Sequence, residues 1–173
     1  VLDSFFGLPL HPLVVHATVV LVPLAAILLI ASAASARVRR WAGVLPVVFA
    51  VLAAILVPVT TSSGEALAHR VGEGGLVEAH AEMGEQLLPF SIAVAVLAAA
   101  LWWLTRAERV GDGVKGTTKT LVMVIVALSV IAGLGSIVQV ARIGHSGAEA
   151  AWTDVMQTTT PGGGEGSDGG DGD

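Results

Sequence analysis

The stretch PLHPLVVHATVVLVPLAAILLIASAASA, residues 9–36, decides the fold. It holds no charged side chain, and only His11, His16, Thr18, Ser32 and Ser35 interrupt the apolar run. A helix needs roughly 20 such residues to cross the hydrocarbon core of a bilayer, so this one is long enough to span it. Working outward, three more runs of the same kind follow, over about 41–69, 76–104 and 119–143. In lipid, only helices and closed barrels satisfy their own backbone, and these runs are far too long for barrel strands. Short links between them favour antiparallel neighbours. The expected fold is therefore all-α: an integral membrane four-helix bundle, up-down-up-down, occupying residues 1–152. Residues 153–173, rich in glycine and aspartate, are expected to form a disordered tail, because they offer too little apolar surface to order themselves.

Composition supports the membrane class. The 173 residues are 54% hydrophobic and only 13% charged, with mean hydropathy +0.79; a soluble chain carries about 25% charged residues. The absence of cysteine excludes disulfides, thiolate metal sites, cysteine-bound iron–sulfur clusters and covalent haem attachment. Any metal must be held by histidine, carboxylate or methionine. The basic residues concentrate in two short links, with Arg37, Arg39 and Arg40 in one and Arg106, Arg109, Lys115 and Lys119 in the other. That is a topology signal rather than a nucleic-acid footprint. By the positive-inside rule both links face the cytoplasm, so both termini are expected on the outer side of the membrane. Trp41, Trp102 and Trp103 fit an inner aromatic belt and Trp152 an outer one. Ala34-Ser35-Ala36 resembles a signal cleavage site, but Asp3, the missing basic flank and the length of the run point to an uncleaved span.

The five histidines carry the functional signal. Counted up from the inner basic flanks at 1.5 Å per residue, His16 lies about 31 Å above Arg37 and His80 about 35 Å above Trp103. His11 and His145 come out at about 39 Å, and His69 about 42 Å above Trp41. All five are thus expected in one outer layer. His16 stands out, since a polar side chain inside a span is costly and is usually paired or functional. His11 and His16 differ by about 140° on the helical wheel and are not expected to share a face. On span three, His80, Gly84 and Leu87 share a stripe, with Glu78, Glu82 and Glu85 on another. Gly84 would leave room below His80 for a flat ligand. Thr61, Glu65 and His69 share a stripe of span two. Gly133 and Gly135 would permit close packing in the middle of span four. Each feature also has a plain structural reading, with histidines as interfacial caps and Thr60–Ser63 bonded to backbone. No internal repeat stands out beyond the two helix pairs.

Three patches together, Gly7-Leu-Pro-Leu-His-Pro-Leu-Val-Val-His16, Val77-Glu-Ala-His-Ala-Glu-Met-Gly84 and Gly144-His-Ser-Gly-Ala148 ending in Trp152, resemble the bacterial membrane family called domain of unknown function 2231. The likeness covers nearly the whole chain up to Trp152. It implies a four-helix membrane protein and directs attention to His11, His16, His80 and His145. Some relatives are joined to Rieske-type iron–sulfur modules, which implies electron transfer; with no cysteine here, any redox partner would be a separate protein.

Three functions follow as expectations. The first is a membrane cytochrome-like protein holding b-type haem between His16 and His80, with His11 or His145 as alternates, Gly84 admitting the porphyrin edge and Arg142 pairing a propionate. The second is a Zn²⁺ or Cu²⁺ site built from His11, His16, His80 and His145 with Glu65 or Glu82, where a carboxylate could instead orient an imidazole. The third is an accessory membrane protein with no cofactor, its histidines and glutamates forming an interhelical polar network. Neither a transporter nor a hydrolase is indicated: inverted repeats and a nucleophile motif are both missing.

Overall fold

In a computed structural model, which describes residues 4–5, 8–71, 74–106 and 116–158, four long helices run antiparallel to their chain neighbours. A two-residue antiparallel ribbon, β1 (Ser4–Phe5) with β2 (Leu8–Pro9), leads into α1 (Leu10–Ala34). This ribbon is the one departure from helix among the described elements. Helix α1 spans about 37 Å, and Pro23 lies inside it.

The first basic link is more structured than expected. Arg37 to Ala42 do not open the second span but form a separate helix, α2 (Ala36–Ala42). Ser35 leaves helical geometry, and its hydroxyl accepts the Val38 amide at 3.4 Å, satisfying one orphan donor at the new N-terminus. Buried Arg39 folds back so that Nη1 donates to the Ser32 carbonyl at 2.6 Å and the Ala33 carbonyl at 3.4 Å. The last carbonyls of α1 thus gain a charged donor. Gly43 then turns the chain at φ +57°, ψ −116°, a conformation that excludes side chains with a Cβ.

The second span is α3 (Leu45–Val71), with Pro46 in its first turn, where a missing N–H costs nothing, and Pro58 inside. The third is broken into α4 (Gly75–Glu85) and α5 (Leu87–Leu104) by a turn at Gln86. Pro89 explains the break: its ring and absent N–H are accommodated in the first turn of a new helix but not in the middle of a continuous one. The fourth, α6 (Gly116–Thr158), is about 65 Å long and exceeds the span expected to end near residue 143. It passes through Gly144 and Gly147 and takes in the first residues assigned to the tail; residues 159–173 lie outside the described residues.

The helices occupy the corners of a square. Helix α1 packs on α3 and α6, and α5 packs on the same two; α4 continues the third span along α6 and α3. Small residues line the seams, among them Ala25, Ala26, Ala50, Ala53 and Ala98, all buried. The glycines of α6 act as anticipated: a Cβ on Gly133 would fall 2.8 Å from Ile30, and one on Gly135 would fall 2.8 Å from Phe90. Van der Waals contact of these side chains with glycine backbone replaces the hydrophobic effect, which does not act between helices in lipid. The buried hydroxyls of Ser91, Ser129 and Ser136 donate to carbonyls three or four residues back. Large apolar side chains point away from the bundle, with Ile131 67% and Val20 64% exposed, which is the surface that lipid covers.

Candidate functional site

At the end of the bundle where α1 begins and α3 ends, opposite α2, all four spans part around a cavity of about 560 Å³. The break at Gln86 and the upper turns of α1, α3 and α6 frame it. Its walls are mainly aliphatic, and three imidazoles open onto it: His11 and His16 from α1 and His80 from α4.

Each ring is tied at Nδ1. His11 is half-buried, and its Nδ1 lies 3.0 Å from the Thr60 carbonyl and 3.2 Å from Ser63 Oγ. A carbonyl can only accept, so Nδ1 carries the proton. The Ser63 hydroxyl sends its own proton to the Thr60 carbonyl at 2.9 Å. His80, also half-buried, sits 3.0 Å from Ser146 Oγ, whose proton goes to the Ile143 carbonyl at 2.9 Å. His80 Nδ1 is therefore the donor in that pair. His16 donates Nδ1–H to the Pro12 carbonyl one turn back, at 2.5 Å. With Nδ1–H as the donor in each pair, Nε2 is the nitrogen left to meet a ligand, and among the described residues no hydrogen bond joins it to the protein.

Two of the rings rest on glycine. A Cβ at Gly64 would lie 2.9 Å from His11 Cε1, and one at Gly147 would lie 3.0 Å from His80 Cε1. Real Cβ atoms essentially never approach as closely as at Gly64, and at Gly147 the ring would have to give by a few tenths of an ångström, so glycine is what lets each imidazole lie against the neighbouring helix. Around His11, Thr18 and Thr60 join hydroxyls at 2.6 Å, fixing α1 to α3 beneath the ring.

The expected residues divide accordingly. His11, His16, His80, Gly84 and Glu65 line the cavity. Gly84 has room to spare, since a Cβ there would meet only Thr61 at 3.8 Å. His11 and His16 do reach the same cavity despite their wheel separation, because the cavity wraps around α1 rather than facing a single stripe. His145, Arg142 and Glu82 do not join it. His145 is on the outer face of α6, 77% exposed and 3.3 Å from Glu149 Oε1; Arg142 and Glu82 are exposed as well. His69 is also exposed and outside the lining. Five histidines in one layer do not make one cluster, because helical phase turns two of them outward.

Among the described residues, no three His, Asp or Glu side chains are close enough together to hold a metal ion. The set proposed for Zn²⁺ or Cu²⁺ is therefore not assembled. Ser63, Gly64, Ser146 and Gly147 were not anticipated as part of the site. The signal for them is a Ser-Gly pair near the far end of spans two and four.

A comparison with curated proteins found no match, and neither did one with solved structures. The sequence pattern of one family, described as a predicted membrane protein (DUF2231), matches residues 7–160. With four helices long and apolar enough to cross a bilayer and that match over most of its length, the chain belongs to the DUF2231 family of multi-pass membrane proteins.

Proposed function

We propose that the cavity binds b-type haem through two of its imidazoles and that the protein transfers electrons at the outer face of a bacterial inner membrane. One observation carries the reading: three histidines line a single apolar cavity, each with Nδ1 within hydrogen-bond distance of an oxygen. Imidazoles that ligate metals are held in this way, with the second nitrogen anchored so that ring orientation and tautomer are set. The aliphatic wall suits a porphyrin face, and facing helices of a bundle are where axial histidines arise. Haem needs only two protein ligands, so the lack of a three-ligand group among the described residues weighs against zinc or copper and not against haem. Ligation by two imidazoles fills both axial positions of the iron and suits electron transfer. The outer location follows from the positive-inside rule, which puts the cavity opposite the arginine-rich links.

A second reading has its own support. The Nδ1 bonds of His11 and His80 cross from α1 to α3 and from α4 to α6, so the same histidines serve as interhelical ties in a cofactor-free accessory protein. One experiment separates the two readings. Protein expressed in haem-replete cells and purified in detergent is scanned oxidised and dithionite-reduced, with metal analysis of the same sample. A Soret band with sharp reduced bands supports haem; a flat spectrum with no stoichiometric metal leaves the structural ties.

A further inference from the structure

The two histidine seats are copies of each other. In each, a histidine near the start of an outward-to-inward span lies over a glycine near the end of the following span. In each, its Nδ1 meets the serine just before that glycine, and the serine hydroxyl bonds the carbonyl three residues back. The agreement extends well beyond the seats. A shift of 69 residues carries the cavity-lining His11, Pro12, Val15, His16 and Thr18 onto His80, Ala81, Gly84, Glu85 and Leu87, which line it too, while Val19 maps onto Leu88, which does not. A shift of 83 carries Thr60, Gly64, Leu67 and Ala68 onto Ile143, Gly147, Ala150 and Ala151, which line it too.

The core obeys the same shifts. Buried Val22, Ala25 and Leu29 map onto buried Ser91, Val94 and Ala98, while Ala50 and Ala53 map onto Gly133 and Ser136. The break between α4 and α5 is not copied: Gln86 has Ala17 as its counterpart, and α1 runs unbroken through it. The packing has the corresponding symmetry: α1 and α5 each contact α3 and α6 and stand diagonally opposite. Few of these matched positions share an amino acid, so the duplication is written in burial and geometry rather than in identity.

We infer that the chain is two fused copies of one two-helix unit, related by a pseudo-two-fold axis along the bundle, and that His11 and His80 are the axial pair that holds haem on that axis. This rests on the haem reading above. Parallel repeats about an axis along the membrane normal are a recurrent membrane architecture. Such an axis places equivalent side chains on opposite sides of whatever lies on it, which is the relation two axial ligands bear to one iron. His16, expected from sequence to be half of the pair, has Glu85 as its counterpart and is exposed. The symmetric scheme therefore leaves it out.

The test uses the full chain in detergent. His11→Ala and His80→Ala should each lower the Soret absorbance per protein at least tenfold, with partial recovery on adding free imidazole, while His16→Ala retains the wild-type low-spin spectrum. Geometry is checked without haem, since the chain has no cysteine. A His11→Cys/His80→Cys variant should be bridged within one molecule by a short bifunctional maleimide, read by mass spectrometry of the linked peptides. A His11→Cys/His145→Cys variant should not be. A haem spectrum that survives His11→Ala but not His16→Ala overturns the pair and leaves the haem reading standing. A missing bridge between positions 11 and 80 overturns the symmetric placement whatever is bound. A bridge between positions 11 and 80, set beside wild-type protein that takes up no haem, overturns the axial assignment together with the function it rests on.

Discussion

Replacing Gly147 by alanine asks whether His80 is held against α6 as tightly as its geometry indicates. The new Cβ would lie 3.0 Å from His80 Cε1 and 3.3 Å from Nδ1, inside the 3.5–4.0 Å at which such atoms attract. The ring cannot swing clear without giving up its 3.0 Å bond to Ser146. Overpacking of this kind costs about 1–3 kcal/mol, and the lost hydrogen bond about 1 kcal/mol. Against these stands a gain of about 1 kcal/mol in helix propensity. Net destabilisation is then about 1–3 kcal/mol. Gly144, one turn earlier on the same helix, is the control: a Cβ there meets nothing within 4 Å, so Gly144→Ala should be neutral or stabilising by up to about 1 kcal/mol. Thermal unfolding in detergent, without added cofactor, should rank Gly147→Ala below wild type and Gly144→Ala at or above it. If Gly147→Ala proves as stable as Gly144→Ala, the ring is not seated on α6 and the reasoning fails.

Three further outcomes follow from named contacts. Arg39→Ala removes the charged donor from the Ser32 and Ala33 carbonyls and should cost about 1.5–3 kcal/mol in detergent unfolding, with Arg39→Lys recovering part of it. Ser146→Ala should destabilise more than Ser63→Ala, by about 0.5–1.5 kcal/mol, because His11 keeps the Thr60 carbonyl whereas His80 loses its acceptor; paired melts compare the two. Gly43→Ala should cost about 1–3 kcal/mol through backbone strain alone, since no atom lies within 4 Å of its Cβ position; a loss there, set beside a neutral Gly144→Ala, isolates the effect of φ +57°.

The elements expected from sequence and those found differ where local chemistry competes with the apolar run. Proline shows this well. Pro23 and Pro58 are absorbed within α1 and α3, while Pro89 sits at the start of α5, yet all three interrupt apolar runs that look alike. Whether a proline kinks a helix or begins a new one depends on the partners its neighbours find. Gly144 and Gly147 read as a helix end, but α6 continues through them. His145 and His80 lie at similar counted heights, and only one reaches the cavity, because height follows from residue number while direction follows from accumulated twist and packing. The Ser-Gly repeat is visible in the chain, but its meaning needs His11 and His80 placed over it.

By itself, the sequence determined the membrane class, the four spans, the family and the end of the bundle at which polar chemistry gathers. Those properties follow from hydrophobicity and length, which the bilayer imposes on each segment separately. The tertiary structure decided which histidines line the cavity and which glycines serve as their seats. Those are relations between segments far apart in the chain, set by helix phase and close packing, and no single segment contains them.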